Sequence, residues 1–81
     1  GWRIQLVSLR SEAAGQQAWA ALRKKNGDLL GKLSMRMEKA DIKGKGTYYR
    51  LQAGPLSGKD AASALCQKLK ARKQGCIIVR P

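Results

Sequence analysis

Residues 2–9, Trp2-Arg3-Ile4-Gln5-Leu6-Val7-Ser8-Leu9, decide how the rest of the chain is read. Trp2, Ile4 and Leu6 fall on one side of a period of two, and Arg3, Gln5 and Val7 on the other. Successive side chains take opposite faces only in an extended chain, so the pattern predicts a strand with one buried face. The same pattern returns 47 positions later, where Arg3-Ile4-Gln5 aligns with Arg50-Leu51-Gln52, Leu9 with Leu56, Ala14 with Ala61 and Leu22 with Leu69. The matches fall at positions of equal expected burial, so the two halves read as one strand–helix–strand unit used twice.

Outward from the first strand, Ser11 is a good helix cap, and Ala14, Ala18, Ala21 and Leu22 form a narrow stripe before Asn26-Gly27 stops a helix over 12–25. Residues 28–31 read as a turn or short helical cap. Leu33, Met35 and Met37 alternate with Ser34, Arg36 and Glu38, which predicts a second strand with the methionines as core or edge filling. The lysines and glycines of 39–47 read as a solvated hairpin connection. A third strand is predicted over 48–53, with Tyr49, Leu51 and Ala53 inward, Tyr48, Arg50 and Gln52 outward, and Gly54-Pro55 ending it. Ser57 is expected to cap a second helix whose stripe is Ala61, Ala62, Leu65, Cys66 and Leu69. A last strand is expected over 76–80, with Cys76 and Ile78 on one side and Ile77 and Val79 on the other.

The order βαββαβ is that of a split βαβ, ferredoxin-like or RNP-like α+β fold: a four-stranded antiparallel sheet with two helices on one face. The helices carry one apolar stripe each, so they cover one side and leave the other open. With the first and third strands as central neighbours, that open side presents Arg3, Gln5, Tyr48, Arg50 and Gln52, joined by Ile77 and Val79. Trp2 shares the Ile4 face and Trp19 sits beside the helix stripe, so both read as packing residues.

The chain has 81 residues, 17 Lys+Arg against 5 Asp+Glu, and a formal net charge of +12. These numbers imply one small domain with a thin core and no room for a deep enclosed active site. The hydrophobic fraction of 43% is too high for a disordered basic tail. Histidine is absent, which removes the commonest general base and the commonest neutral metal ligand. A noncatalytic cationic binding module without metal or cofactor is therefore expected. The open face offers amide, guanidinium, phenol and aliphatic groups, a set suited to sugars, whose hydroxyl and N-acetyl groups meet amides and guanidinium while a ring covers the apolar side of a pyranose.

Over essentially the whole chain the sequence resembles a SPOR (sporulation-related repeat) domain, the bacterial module that binds septal peptidoglycan. The resemblance is carried by residues 2–9, by Tyr48-Tyr49-Arg50-Leu51-Gln52-Ala53-Gly54-Pro55-Leu56, by the Ala-rich helix ending Leu65-Cys66-Gln67-Lys68-Leu69-Lys70, and by Gly75-Cys76-Ile77-Ile78-Val79. It implies recognition of denuded glycan strands, from which amidases have removed the stem peptides. By matching position it implies a site of Gln5 and Ser8 on the first strand, Tyr48 and Arg50 on the third and Ile77 on the fourth; the outward pattern adds Arg3 and Gln52. Val7 stands where many members have glycine. The resemblance also implies a single domain over 1–81, a monomer from the C-terminal part of a larger protein. That protein would be periplasmic, located at the division septum and reached by membrane only through an anchor outside this chain.

A denuded strand carries one free lactyl carboxylate per disaccharide, so a domain at +12 is attracted to it. For an exported module the two inward cysteines suggest a Cys66–Cys76 disulfide, with two buried free thiols as the alternative. The competing reading is an RNA-binding domain of the same strand order. Against it, only Tyr48 is outward and aromatic, where that class stacks bases on two or three rings, so nucleic acid is not the expected partner. A protein-interaction module using the sheet edge is a third reading, with no motif to distinguish it.

Overall fold

A computed structural model describes all 81 residues. The elements are β1 (Trp2–Leu9), α1 (Glu12–Lys25), α2 (Gly27–Leu30), β2 (Ser34–Ile42), β3 (Gly46–Leu56), α3 (Lys59–Ala71) and β4 (Ile77–Val79). They form one antiparallel sheet in the order β2-β3-β1-β4. The expected fold class and the central β1–β3 pair are therefore present, with three helices where the sequence reading had two. The extra one is the single turn at 27–30, which the sequence reading left as a turn or cap.

Several boundaries differ from the sequence reading for identifiable reasons. The lysine-rich stretch 39–47 is mostly ladder, because Lys39, Ala40 and Asp41 pair with Tyr49, Tyr48 and Thr47. Composition suggested a loop there, whereas the period of two simply continues through the charged residues. The reversal is confined to a tight turn in which Lys45 N–H donates to the Ile42 carbonyl at 2.9 Å, with Gly44 and Gly46 at φ of 80° and 100°. β3 runs through Gly54 and Pro55, joined by a cis peptide, to Leu56 rather than stopping at 53. Gly58, not Ser57, is the N-cap of α3, and no side chain caps that helix. The last strand is shorter than expected, pairing only through Ile77, Ile78 and Val79 with β1.

All three helices pack on one side. Ser11 caps α1 by accepting from Ala14 N–H at 3.1 Å. The buried strip of α1 runs along Gly15, Ala18, Trp19 and Leu22, while the expected core residue Ala21 is exposed. A Cβ at Gly15 would meet the Met37 sulfur, the flexible end of a side chain on β2, so α1 and β2 are in close contact at this point. The core gathers Ile4, Leu6, Ala53, Leu30, Ala62 and Leu69, with Trp19, Leu22, Leu33 and Ile78 packed around it.

Two devices tie the ends together. Cys66 on α3 and Cys76 before β4 form a disulfide across a Cα–Cα distance of 5.2 Å, within the span such a bond can bridge. On the other side, Arg72 after α3 makes two contacts with Asp28, at 2.9 and 2.6 Å, and donates to the buried Asn26 at 3.1 Å. The hydrogen bonds from Arg72 hold the Asp28 carboxyl below its ordinary range. The contact is thus complete above that range and is lost as pH falls through the lowered folded value.

Replacing both cysteines by serine is expected to remove about 2–3 kcal/mol of stability, the cost of reopening a short loop in the unfolded chain. Urea denaturation of the variant against the oxidised parent checks this, and the sheet should remain folded in the variant without denaturant.

Candidate functional site

The pairing register places every residue of the uncovered face. Partners directly across a ladder share a face, and alternate residues along a strand return to it about 7 Å further on. Gln5 lies opposite Gln52 on β3 and Ile77 on β4, and Gln52 lies opposite Arg36 on β2. The neighbouring row joins Ser8, Arg50 and Glu38. Toward the other end, Arg3 lies opposite Val79, and Gly54 opposite Ser34.

Strict alternation puts Ser8 on the core side with Ile4 and Leu6. The structure places it otherwise, because the register shifts between Gln5 and Val7: Gln5 opposes Gln52, but Val7 opposes Leu51. One extra residue has been inserted into β1, a β-bulge that bends a strand and re-aims the side chains beyond it. Ser8 thereby joins Gln5 on the open face, one row along and opposite Arg50. Val7, assigned by alternation to the open side, instead opposes Leu51, a fully buried residue.

Gln5, Ser8, Arg50, Gln52, Ile77 and Arg3 are thus brought together on adjacent rows, and Tyr48 lies one row beyond Arg50, opposite Ala40. Their accessibility differs. Gln52 is only 1% exposed and accepts a hydrogen bond from Arg3 Nε at 3.2 Å. It orients Arg3 and offers almost no surface of its own. The Arg3 stem crosses Gly54, where a Cβ would come within 2.7 Å of Arg3 Cγ and 3.1 Å of the Trp2 carbonyl. Ile77, by contrast, is 62% exposed, an apolar platform beside Gln5. It edges a shallow cleft of about 210 Å³ whose walls are Gln5, Val7 and Ser8 on β1 and Gly75 and Cys76 before β4. The cleft exists because β4 pairs only with Arg3, Ile4 and Gln5, leaving the rest of that β1 edge without a strand; the Gln74 amide caps it by donating to the Leu6 carbonyl at 3.0 Å.

Three residues of the face escaped the sequence reading. Arg10 lies with its guanidinium carbon 4.7 Å from the Tyr48 ring centroid and donates to the Tyr48 hydroxyl at 3.4 Å, so it stiffens the one aromatic side chain of the face. Arg36 and Glu38 emerge from the register of β2 against β3, since alternation alone places them opposite the methionines without saying which face is open. Glu38 pairs with Arg50 at 3.4 Å. The face therefore carries Arg3, Arg10, Arg36 and Arg50 against one acid, and no lysine occupies a register position on it. Arginine's planar fork matches a carboxylate in a way that a lysine ammonium does not. No group of acidic, histidine or cysteine residues suited to a metal is present.

A split βαβ sheet left bare on one side, with amide, guanidinium and apolar groups in register and no enclosed cavity, defines a surface-binding domain. The SPOR domain family profile matches residues 1–80, and the chain belongs to that family of peptidoglycan-binding domains. An uncharacterized protein of Rickettsia prowazekii (strain Madrid E) is 31% identical over 78 residues, which cover 96% of this chain and 35% of that protein. The chain thus spans about a third of that relative's length. The crystal structure of the RlpA SPOR domain from Pseudomonas aeruginosa superposes with a TM-score of 0.71 over the whole of both chains, at 16% identity. This likeness is one of fold.

A methyl group at Gly54 is expected to displace Arg3 and to cost about 1–3 kcal/mol, as overpacking at a tight contact does. Thermal or urea unfolding of Gly54→Ala checks the cost. Spectra of the Arg3 side-chain Nε–H resonance check the displacement.

Proposed function

We propose that the domain binds denuded peptidoglycan glycan strands on its open sheet face and so directs the protein that carries it to the bacterial division septum, in the periplasm. The observation that carries the reading is the bulge in β1, which sets Gln5 and Ser8 side by side opposite Gln52 and Arg50 on the face of a SPOR domain. A saccharide laid across these rows meets amide and hydroxyl groups from β1, a guanidinium from β3 and the apolar Ile77 at the edge. Sugar hydroxyl and N-acetyl groups pair with the first two, and a pyranose ring covers the third.

Charge completes the account. Removal of the stem peptide turns the lactyl amide of N-acetylmuramic acid into a carboxylate, so amidase action converts a neutral attachment point into an anion. Arg50 and its neighbours then gain a charge-assisted, fork-like partner that the intact strand lacks. The septum is where such strands arise transiently, so affinity for them is affinity for the division site.

Retention on isolated sacculi tests the reading. Binding should rise after amidase treatment, fall after digestion of the glycan by a lytic transglycosylase, and weaken as salt is raised. Equal retention on untreated and amidase-treated material defeats it. Gln5→Ala and Arg50→Ala should each lower affinity for denuded strands by about tenfold or more, the loss of one hydrogen bond to a charged or buried partner, while leaving the unfolding midpoint within a few degrees of the parent.

A further inference from the structure

A net charge of +12 draws in any polyanion, including phosphate polymers far more densely charged than a glycan strand. The binding face itself contains one feature that works against this. Glu38 is its single acid, and it stands on the edge strand beside two of the arginines: opposite Arg50 across the β2–β3 ladder and two residues along β2 from Arg36. The pair with Arg50 is a single 3.4 Å contact between side chains 38% and 44% exposed. The Arg72–Asp28 pair elsewhere is a two-point contact at 2.9 and 2.6 Å. The Glu38 pair is thus loose enough to be exchanged by rotating one side chain, and its carboxylate stays on the face whichever partner Arg50 takes.

We propose that Glu38 is a specificity-determining residue that rejects densely charged polyanions while tolerating a ligand with one carboxylate per disaccharide. The inference rests on the glycan reading of the open face. A carboxylate acts on other charges over a Debye length of about 8–10 Å at ordinary salt, which on this sheet spans the neighbouring row and column. A denuded glycan brings a single negative charge into that zone, and the exchange at Arg50 replaces one carboxylate by another. A polyphosphate brings several charges into the same zone. Each is repelled by Glu38, and Arg50 must leave its partner for only one of them. Building an unfavourable contact for the wrong ligand, rather than a better one for the right ligand, is a general route to selectivity. An ordinary cross-strand ion pair would do no more than add slightly to the stability of the sheet and would treat both ligands alike.

The experiment measures the affinities of wild type, Glu38→Gln and Glu38→Asp for two probes, amidase-treated sacculi and inorganic polyphosphate, at fixed salt. Glu38→Gln is expected to raise polyphosphate affinity about fivefold and glycan affinity about twofold or less, from repulsions typical of exposed charges. Glu38→Asp, which keeps the charge, should keep the wild-type ratio. Equal gains on both probes, or a loss on both, overturn the inference while leaving the glycan reading intact. A wild type that does not prefer amidase-treated over untreated sacculi removes both.

Discussion

The β1–β3 pairing, with the residue inserted between Gln5 and Val7, is the constraint on which the remainder of the molecule depends. The core side of the pair needs Ile4, Leu6, Leu51 and Ala53 buried. The open side needs Gln5 and Ser8 together. No uninterrupted strand satisfies both, since residues three apart point to opposite faces. The bulge resolves the conflict by letting Leu6 and Val7 together span the single position of Leu51. It does so just where β4 ends, so that β3 alone pairs with the distorted stretch. A change that removed the extra residue would carry Ser8 inward and bring a hydroxyl into the core.

Much of this architecture is legible in the residues. The alternation of 2–9, the Ser11 cap, the Asn26-Gly27 stop and the stripes of both long helices each stem from local chemistry, and the internal repeat orders them into a sheet. Arg50, Gln5 and Ile77 could be placed on the open face from period alone. What period cannot supply is a change of register, because the bulge leaves no mark in the alternation: Leu6-Val7 is an apolar pair that suits either reading. The placement of Ser8 came from family resemblance and acquired its physical reason from the pairing. Arg10 follows β1 and is placed only by its contact with Tyr48, and the alternation of β2 does not say which of its faces is open. The buried Gln52 accepts from Arg3, whose stem passes Gly54, and both are contacts between strands.

The distribution of charge divides the molecule into two populations. Lysines are confined to helices, turns and the outer register of the hairpin, where strong hydration keeps the protein dispersed and attracts anions from a distance. Four of the seven arginines line the face, where Gln52, Tyr48 and Glu38 hold three of them in defined orientations. Attraction and recognition are in this way assigned to different side chains. The number of basic residues says little about affinity; the partners that orient a few of them say more.

The repeat has one further outcome. Gln5 and Gln52, equivalent in the two halves, face each other across the central ladder, so the middle of the sheet is nearly a two-fold axis. A linear polymer lying over a true dyad would find head-first and tail-first arrangements energetically identical. Here Ile77 stands at one margin and Glu38 at the other, with no counterpart for either across the axis. The degeneracy is lifted, and the two directions along the face differ in the side chains they present.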